Sequence, residues 1–410
     1  MAPLATAPRI GRPAAASGRA PARPFRLPRG GRRAALAPLL SLLLAFGCAS
    51  DPPPVPPSPL ASFEPTVTLA RLWRSSVDEA GRGRFEPYLD AERVVVASGE
   101  GEVAAFDRRT GMRLWRTELD TRLSSGVGGS ADVDAVYVGS LDGTVHALAL
   151  SSGEPLWNVS MSSEVLVAPV AGFGAVIVRS VDGRVVALEP GDGSERWSVS
   201  NTPPTLTVAG YSRPLAVDGG VLVGLDDGRL LALALDTGRT IWESVLSVPS
   251  GRSEIERLVD IDADPLVDDA GIYVVNYQGQ AARLEPVRGQ LVWSVPMSST
   301  AGLALGGTRL VVVDEEDVLH ALERDSGREI WSSEVLRGRR LSPPAALAGG
   351  EAVVVGDLEG YLHVVSLEDG ALLGRARVAD GPITVRPVVD GDTVYTQGED
   401  GRVAAHTVAR

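Results

Sequence analysis

Residues Ala135–Val159 read AVYVGSLDGTVHALALSSGEPLWNV. The first five alternate and are rich in strand formers, Leu141-Asp142-Gly143 is a turn, and Thr144–Leu148 alternates again. Ser151-Ser152-Gly153 makes a second turn, and Pro155–Val159 closes the unit around Trp157. Alternation with a period of two marks strands that bury one face. Asp-Gly between two such runs predicts a tight hairpin of the primed type, whose central residues need positive φ. The unit is thus a set of short antiparallel strands, and the rest of the chain repeats it.

All seven tryptophans, Trp73, Trp115, Trp157, Trp197, Trp242, Trp293 and Trp331, fall at one point of that unit, spaced by 42, 42, 40, 45, 51 and 38 residues. From Trp115 on, a glycine stands four residues before each: Gly111, Gly153, Gly193, Gly238, Gly289 and Gly327. An eighth copy keeps Gly370 but has Gly374 where tryptophan is expected. A period near 40 built from short strands predicts a β-propeller. Eight outer strands can be counted, one around each tryptophan and one at Leu373. Trp73 precedes the first complete set of inner strands, and Ile383–Val408 has inner strands without an outer one. Pairing these two pieces removes both free sheet edges. The expected fold is all-β: an eight-bladed propeller of four-stranded antiparallel blades over residues 66–410, closed by its own N-terminal strand. The tryptophans are expected to be structural, each packing between neighbouring sheets.

Residues 1–47 stand apart. They hold eight arginines and no acid, followed by the apolar run Ala34–Phe46 (AALAPLLSLLLAF). A basic region, a short apolar run and a small residue before the cut predict a secretory signal peptide, too short to span a membrane. Cys48 is the only cysteine and cannot form an internal disulfide. Its place at the end of the apolar run resembles the lipidated cysteine of bacterial lipoproteins, although Ala45 and Phe46 depart from that pattern; a cleaved signal with a chance cysteine is the other reading. Residues 48–65 follow as a tether, with Asp51–Pro59 (DPPPVPPSP) favouring an extended polyproline spacer of roughly 28 Å.

Without the leader the net charge falls from −13 to −21, and the chain has no lysine. So acidic a body argues against nucleic acid or anionic lipid as a direct partner. Solubility alone would explain the excess of acid; a basic partner would explain it equally well.

Sites for chemistry are sparse. No nucleophile motif, P-loop or His-Glu-x-x-His occurs, so no catalytic residue and no cofactor is assigned. Three of the four histidines, His146, His320 and His363, share one register of the repeat and read as blade residues rather than a metal cluster. Asp260, Asp262 and Asp264 form a D-x-D-x-D string, but the glycine and distal glutamate of a calcium loop are absent. No metal is expected there, and capping of a tight loop competes as a reading of each aspartate. Only two repeat intervals exceed 42 residues, those of 45 and 51, and loop insertions on a rigid scaffold concentrate function.

Two resemblances can be placed on these residues. The pattern Ala105-x-Asp107-x-x-Thr110-Gly111-x-x-x-Trp115 is similar to the repeat of quinoprotein-type propellers, whose dehydrogenases resemble one another in a vicinal cysteine pair and a calcium site in the central channel. With one cysteine this chain lacks that pair. Residues 257–265 (RLVDIDADP) and 356–370 (GDLEGYLHVVSLEDG) resemble the BamB family, propeller lipoproteins of the outer-membrane β-barrel assembly machinery. That resemblance implies a non-catalytic scaffold, lipid-anchored to the outer membrane and facing the periplasm. Its implied partners are the POTRA domains of the BamA-type (Omp85) insertase, other assembly-complex lipoproteins and nascent outer-membrane β-barrel proteins. It also implies lipid (palmitate) on Cys48, and contact residues Leu206, Val208, Asp260 and Asp262, two apolar and two acidic. These lie in the two longest intervals. Ala209 stands where the family has a basic residue, with Arg213 nearby as a substitute. The competing function is a periplasmic quinone- or ligand-binding propeller, distinguished by convergent cation ligands in the central channel.

Overall fold

The structure, a computed structural model, describes residues 56–208 and 212–409. The leader, Cys48 and Ala209 lie outside the described residues. No helix among the described residues is long and apolar enough to cross a membrane.

Eight four-stranded antiparallel sheets follow one another along the chain, seven of them ordered consecutively from inner to outer strand. In chain order they are blades 1 to 8. The second and third strands carry the β-branched runs and are almost wholly buried, as in Ala135–Gly139 and Ala352–Gly356. Their side chains pack blade against blade; Val95 and Ala105 of blade 1, for example, join Val136 and Leu148 of blade 2 in one cluster. Blade 8 combines Val388–Asp390, Thr393–Gln397 and Arg402–Ala409 with the N-terminal strand Thr68–Ser76. Thr68 pairs with Ala409 and Ser76 with Arg402, so the ring closes by the pairing expected from sequence.

The Asp-Gly turns differ from expectation. Gly143 N–H donates to the Ser140 carbonyl at 3.1 Å and Ser140 N–H to that of Thr144 at 3.0 Å. Three residues therefore cross the gap, not two. Gly143 takes a φ of 81°, while Asp142 is not among the positive-φ residues. This is a three-residue loop with glycine at the left-handed position, not a primed turn. The aspartate serves instead as an acceptor: its carboxylate takes the Ser140 hydroxyl at 2.5 Å and the Thr144 N–H at 3.0 Å.

The recurrent Trp and Gly are two halves of one joint. Each indole lies against the glycine of the next blade, where an added Cβ would come within 2.4–2.7 Å of the ring in every case from Gly111 on Trp73 to Gly370 on Trp331. Each indole N–H also donates to a carbonyl of the next blade, as Trp73 does to Arg108 (2.8 Å) and Trp331 to Leu367 (3.1 Å). The missing eighth tryptophan follows from this joint. The glycine that would receive it belongs to the turn between third and fourth strands, and in blade 8 those strands are the two ends of the chain. Val67 fills the space instead: its N–H and that of Thr66 reach the Leu373 carbonyl at 3.1 and 2.9 Å, and a Cβ at Gly374 would sit 2.7 Å from Val67 Cγ2.

The tether expected over residues 48–65 is bound to the ring from Ser58 onward. Ser58 N–H donates to the Arg337 carbonyl at 2.8 Å, and Arg339 Nη1 to the Ser58 carbonyl at 2.9 Å. Arg375 donates to the Ala61 carbonyl at 3.2 Å and lies over the Phe63 ring at 5.4 Å. Residues 58–67 form a strap along the outer strand Leu372–Arg377 of blade 7, covering part of an edge that would otherwise be unpaired.

Candidate functional site

In an up-and-down blade, the turn between second and third strands and the connection to the next blade lie on one face of the ring. The other two turns lie on the opposite face. The connections from Ser200 to Leu215 and from Val245 to Leu266 are the long ones, and both lie on the first face. The second contains a short 3₁₀ turn, Ile255–Arg257.

The structure brings the two together through Asp260. Its Oδ2 accepts the Val208 N–H at 2.5 Å, and the Asp260 carbonyl accepts the Tyr277 N–H at 2.9 Å. Ile261 N–H in turn reaches the Leu225 carbonyl at 3.1 Å, pinning the second loop to the hairpin of blade 4. Leu206 is 44% exposed and stands at the surface of the first loop, while Val208 is half-buried. Asp260 and Asp262 are 1% and 2% exposed. Both acids are thus buried rather than presented at the surface, and Asp260 braces the two loops from beneath. An aspartate accepting a backbone N–H across a loop junction orders both segments, and that bond needs the carboxylate inside. Burial pushes the Asp260 carboxyl up to about 6, with the Val208 N–H pulling the other way.

Asp264 turns toward the axis of the ring. Its Oδ1 accepts the Arg213 N–H at 2.7 Å, and its Oδ2 meets Arg84 at 3.0 Å and Arg213 at 3.8 Å. Glu86 meets the same two arginines at 3.0 and 3.5 Å. Against the cost of burial, the charges of Arg84, Arg213 and Arg386 hold the Asp264 carboxyl down to about 2. Arg213 is thus engaged with the acids at the axis. The D-x-D-x-D string does not converge: among the described residues the only three-carboxylate group close enough to share an ion is Asp78, Glu102 and Glu118, and Arg116 pairs with all three.

The central channel encloses a cavity of about 610 Å³, bounded by the inner strands of all eight blades. Glu86 on its wall, and Asp264, which shares Arg84 with it, face guanidinium groups, which is the wrong donor set for calcium or for a quinone cofactor held through calcium. The histidines are spread over different blades. His363 is buried against Asp357 at 2.8 Å, and His320 bridges Asp314 and Glu329 at 3.1 and 2.9 Å. The axial cluster was missed from sequence, though a signal existed. At Glu86-Pro87, Arg213-Pro214, Asp264-Pro265 and Arg386-Pro387 a charged residue stands next to the proline that immediately precedes an inner strand.

Known proteins can now be compared. The family model described as outer membrane protein assembly factor BamB matches residues 99–333 and 280–405. A protein of that name from Pseudomonas aeruginosa is 40% identical over 378 residues, 91% of this chain and 98% of that one. One from Burkholderia pseudomallei is 34% identical over 85% of this chain and 90% of that one. In a relative from Alkalilimnicola ehrlichii the match is 42% over 49% of this chain and spans about half of that protein, 52%. The crystal structure of BamB from Moraxella catarrhalis superposes with a TM-score of 0.77 at 26% identity, covering 83% of this chain and 99% of that one. A quinohemoprotein alcohol dehydrogenase from Comamonas testosteroni shares the fold, with a TM-score of 0.66 at 14% identity over 83% of this chain and 76% of that one.

Proposed function

Because the chain belongs to the BamB family of outer membrane protein assembly factors, we propose that it is a non-catalytic periplasmic scaffold that binds the POTRA domains of the BamA-type insertase. Lipid on Cys48 holds it to the outer membrane, facing the periplasm. There it assists the assembly and insertion of β-barrel proteins, alongside the other lipoproteins of the complex. The observation that carries this reading is the junction of the two longest interblade loops on one face, with Leu206 exposed above the Val208–Asp260 bond. An apolar anchor presented by a braced loop loses little entropy on docking. In this reading Leu206 and Val208 make contact, while Asp260 and Asp262 set the loop conformation.

A scaffold of this kind adds rigid contact area to a flexible string of domains. The strap supports the same orientation. Arg337 and Arg339 lie in the connection between blades 6 and 7, on the face that bears the long loops, so the tether leaves the ring on that face.

The test is capture of the insertase from detergent-solubilised envelopes by the purified chain and its variants. Leu206→Ala should weaken capture at least tenfold, about 1.4 kcal/mol, without moving the melting temperature. Asp260→Asn, which keeps an acceptor for Val208 N–H, should capture nearly as well as wild type, and Asp260→Ala poorly. Undiminished capture by Leu206→Ala would remove the loop from the interface.

A further inference from the structure

The axial cluster carries more positive than negative charge. Three guanidiniums, Arg84, Arg213 and Arg386, meet two carboxylates, Glu86 and Asp264. The first two arginines make the ion pairs with both acids, which Arg386 meets only through longer-range charge. Arg386 is left with one modest hydrogen bond, from Nη1 to the Leu303 carbonyl at 3.2 Å. Its Nε is buried and has no hydrogen-bond partner among the described residues. A guanidinium taken out of water with donors unsatisfied is costly unless something answers it. In a body as acidic as this one, a surplus cation on the axis is also contrary to the general charge balance.

Arg386 and Arg213 line the cavity of about 610 Å³ on the ring axis. The first strand of each blade starts at the loop face, so these arginines lie at that end of the channel. Toward the opposite face the walls become mostly aliphatic, with Val170, Leu215, Ala304, Ala345 and Val388 beside Tyr88. No tryptophan lines the cavity, and Tyr88 is the one aromatic side chain on its wall. Volume and lining fall in the range of small-molecule sites, with mostly apolar walls and a few polar groups at one end.

We propose that this channel is a binding site for a small organic carboxylate with an aliphatic body. The carboxylate sits at Arg386, where the guanidinium offers paired donors in the plane a carboxylate matches. The aliphatic body lies along the inner strands toward the open face. A charge of −1 neutralises the cluster, while a dianion would face Glu86 and Asp264. The proposal does not depend on the partner-binding reading.

The test is calorimetric titration of the mature chain with hexanoate at constant ionic strength. Hexanamide serves as the uncharged isostere and sulfate as the inorganic dianion. Expected is saturable single-site binding of hexanoate, at least tenfold weaker for hexanamide, for sulfate and for Arg386→Gln. Absence of saturable hexanoate binding by the wild-type chain overturns the proposal, as does undiminished binding by Arg386→Gln or a preference for sulfate. A diazirine-bearing hexanoate asks the same of the unaltered chain, so the answer does not depend on the variant folding. Its label should fall on inner-strand residues such as Leu215 or Val388, and label confined to the outer surface overturns the site.

Discussion

At the scale of single residues, the blade joint places opposite demands on two amino acids. The indole must be large enough to span to the next sheet, and the glycine beneath it must have no side chain. Gly238 shows both constraints: its φ is +67°, and a Cβ there would lie 2.6 Å from the Trp197 ring. Gly238→Ala should therefore cost roughly 2–4 kcal/mol, from left-handed strain and overpacking together, read by chemical denaturation. Gly191 is the control: its φ is not positive, and a Cβ added there would meet no atom within 4 Å. Gly191→Ala should stay within about 0.5 kcal/mol of wild type. Equal effects would break the joint as an explanation of the repeat. This pair was legible in the sequence because its periodicity is enforced seven times. The state of Asp260 was not legible, because nothing local distinguishes a loop aspartate facing solvent from one that accepts an N–H fifty-two residues away. Its carboxyl, held up at about 6 against an ordinary 3.8, binds its proton more tightly in the folded chain. The sign follows: the native state gains stability as pH falls from above 6 toward 4, and the ionised form costs stability at neutral pH. Between pH 7.5 and 4 this contributes roughly 2 kcal/mol, which Asp260→Asn should remove. The stability advantage of the Asn variant over wild type should shrink as pH is lowered; a difference that stays flat would mean the carboxyl is not held up.

At the scale of elements, ring closure and the strap share one segment. Residues 58–67 run along blade 7, and Thr68–Ser76 then completes blade 8. Deleting residues 69–76 leaves the strand Arg402–Ala409 as an open edge and takes Trp73 from its seat against Gly111. Calorimetry should show loss of the single cooperative transition, or aggregation, although the deletion is far from Leu206. Melting like the full chain would mean the N-terminal strand does not close the ring. The closure could be read from sequence by counting outer strands against inner ones. The strap could not: its contacts come from Arg339 and Arg375, which look like ordinary surface arginines until the fold brings them to Ser58 and Ala61. The hairpins were legible as hairpins but not in their type, since Asp-Gly suits both a two-residue turn and the three-residue loop found here.

At the scale of the whole molecule, regularity makes the exceptions informative. Seven of the blades are built alike, and the departures fall in three places: the long loops, the charged axis and the closing seam. Family membership joins the chain to outer-membrane protein assembly, and in the proposed reading the loop face is where a partner is met. The direct test is site-specific photo-crosslinking in intact cells, with the photoreactive residue placed at Leu206 or, on the opposite face, at Val287, which is 73% exposed. The expected result is an adduct with the BamA-type insertase from position 206 and none from position 287. An adduct from 287 alone, or the same yield from both, would contradict a partner surface at the loop junction.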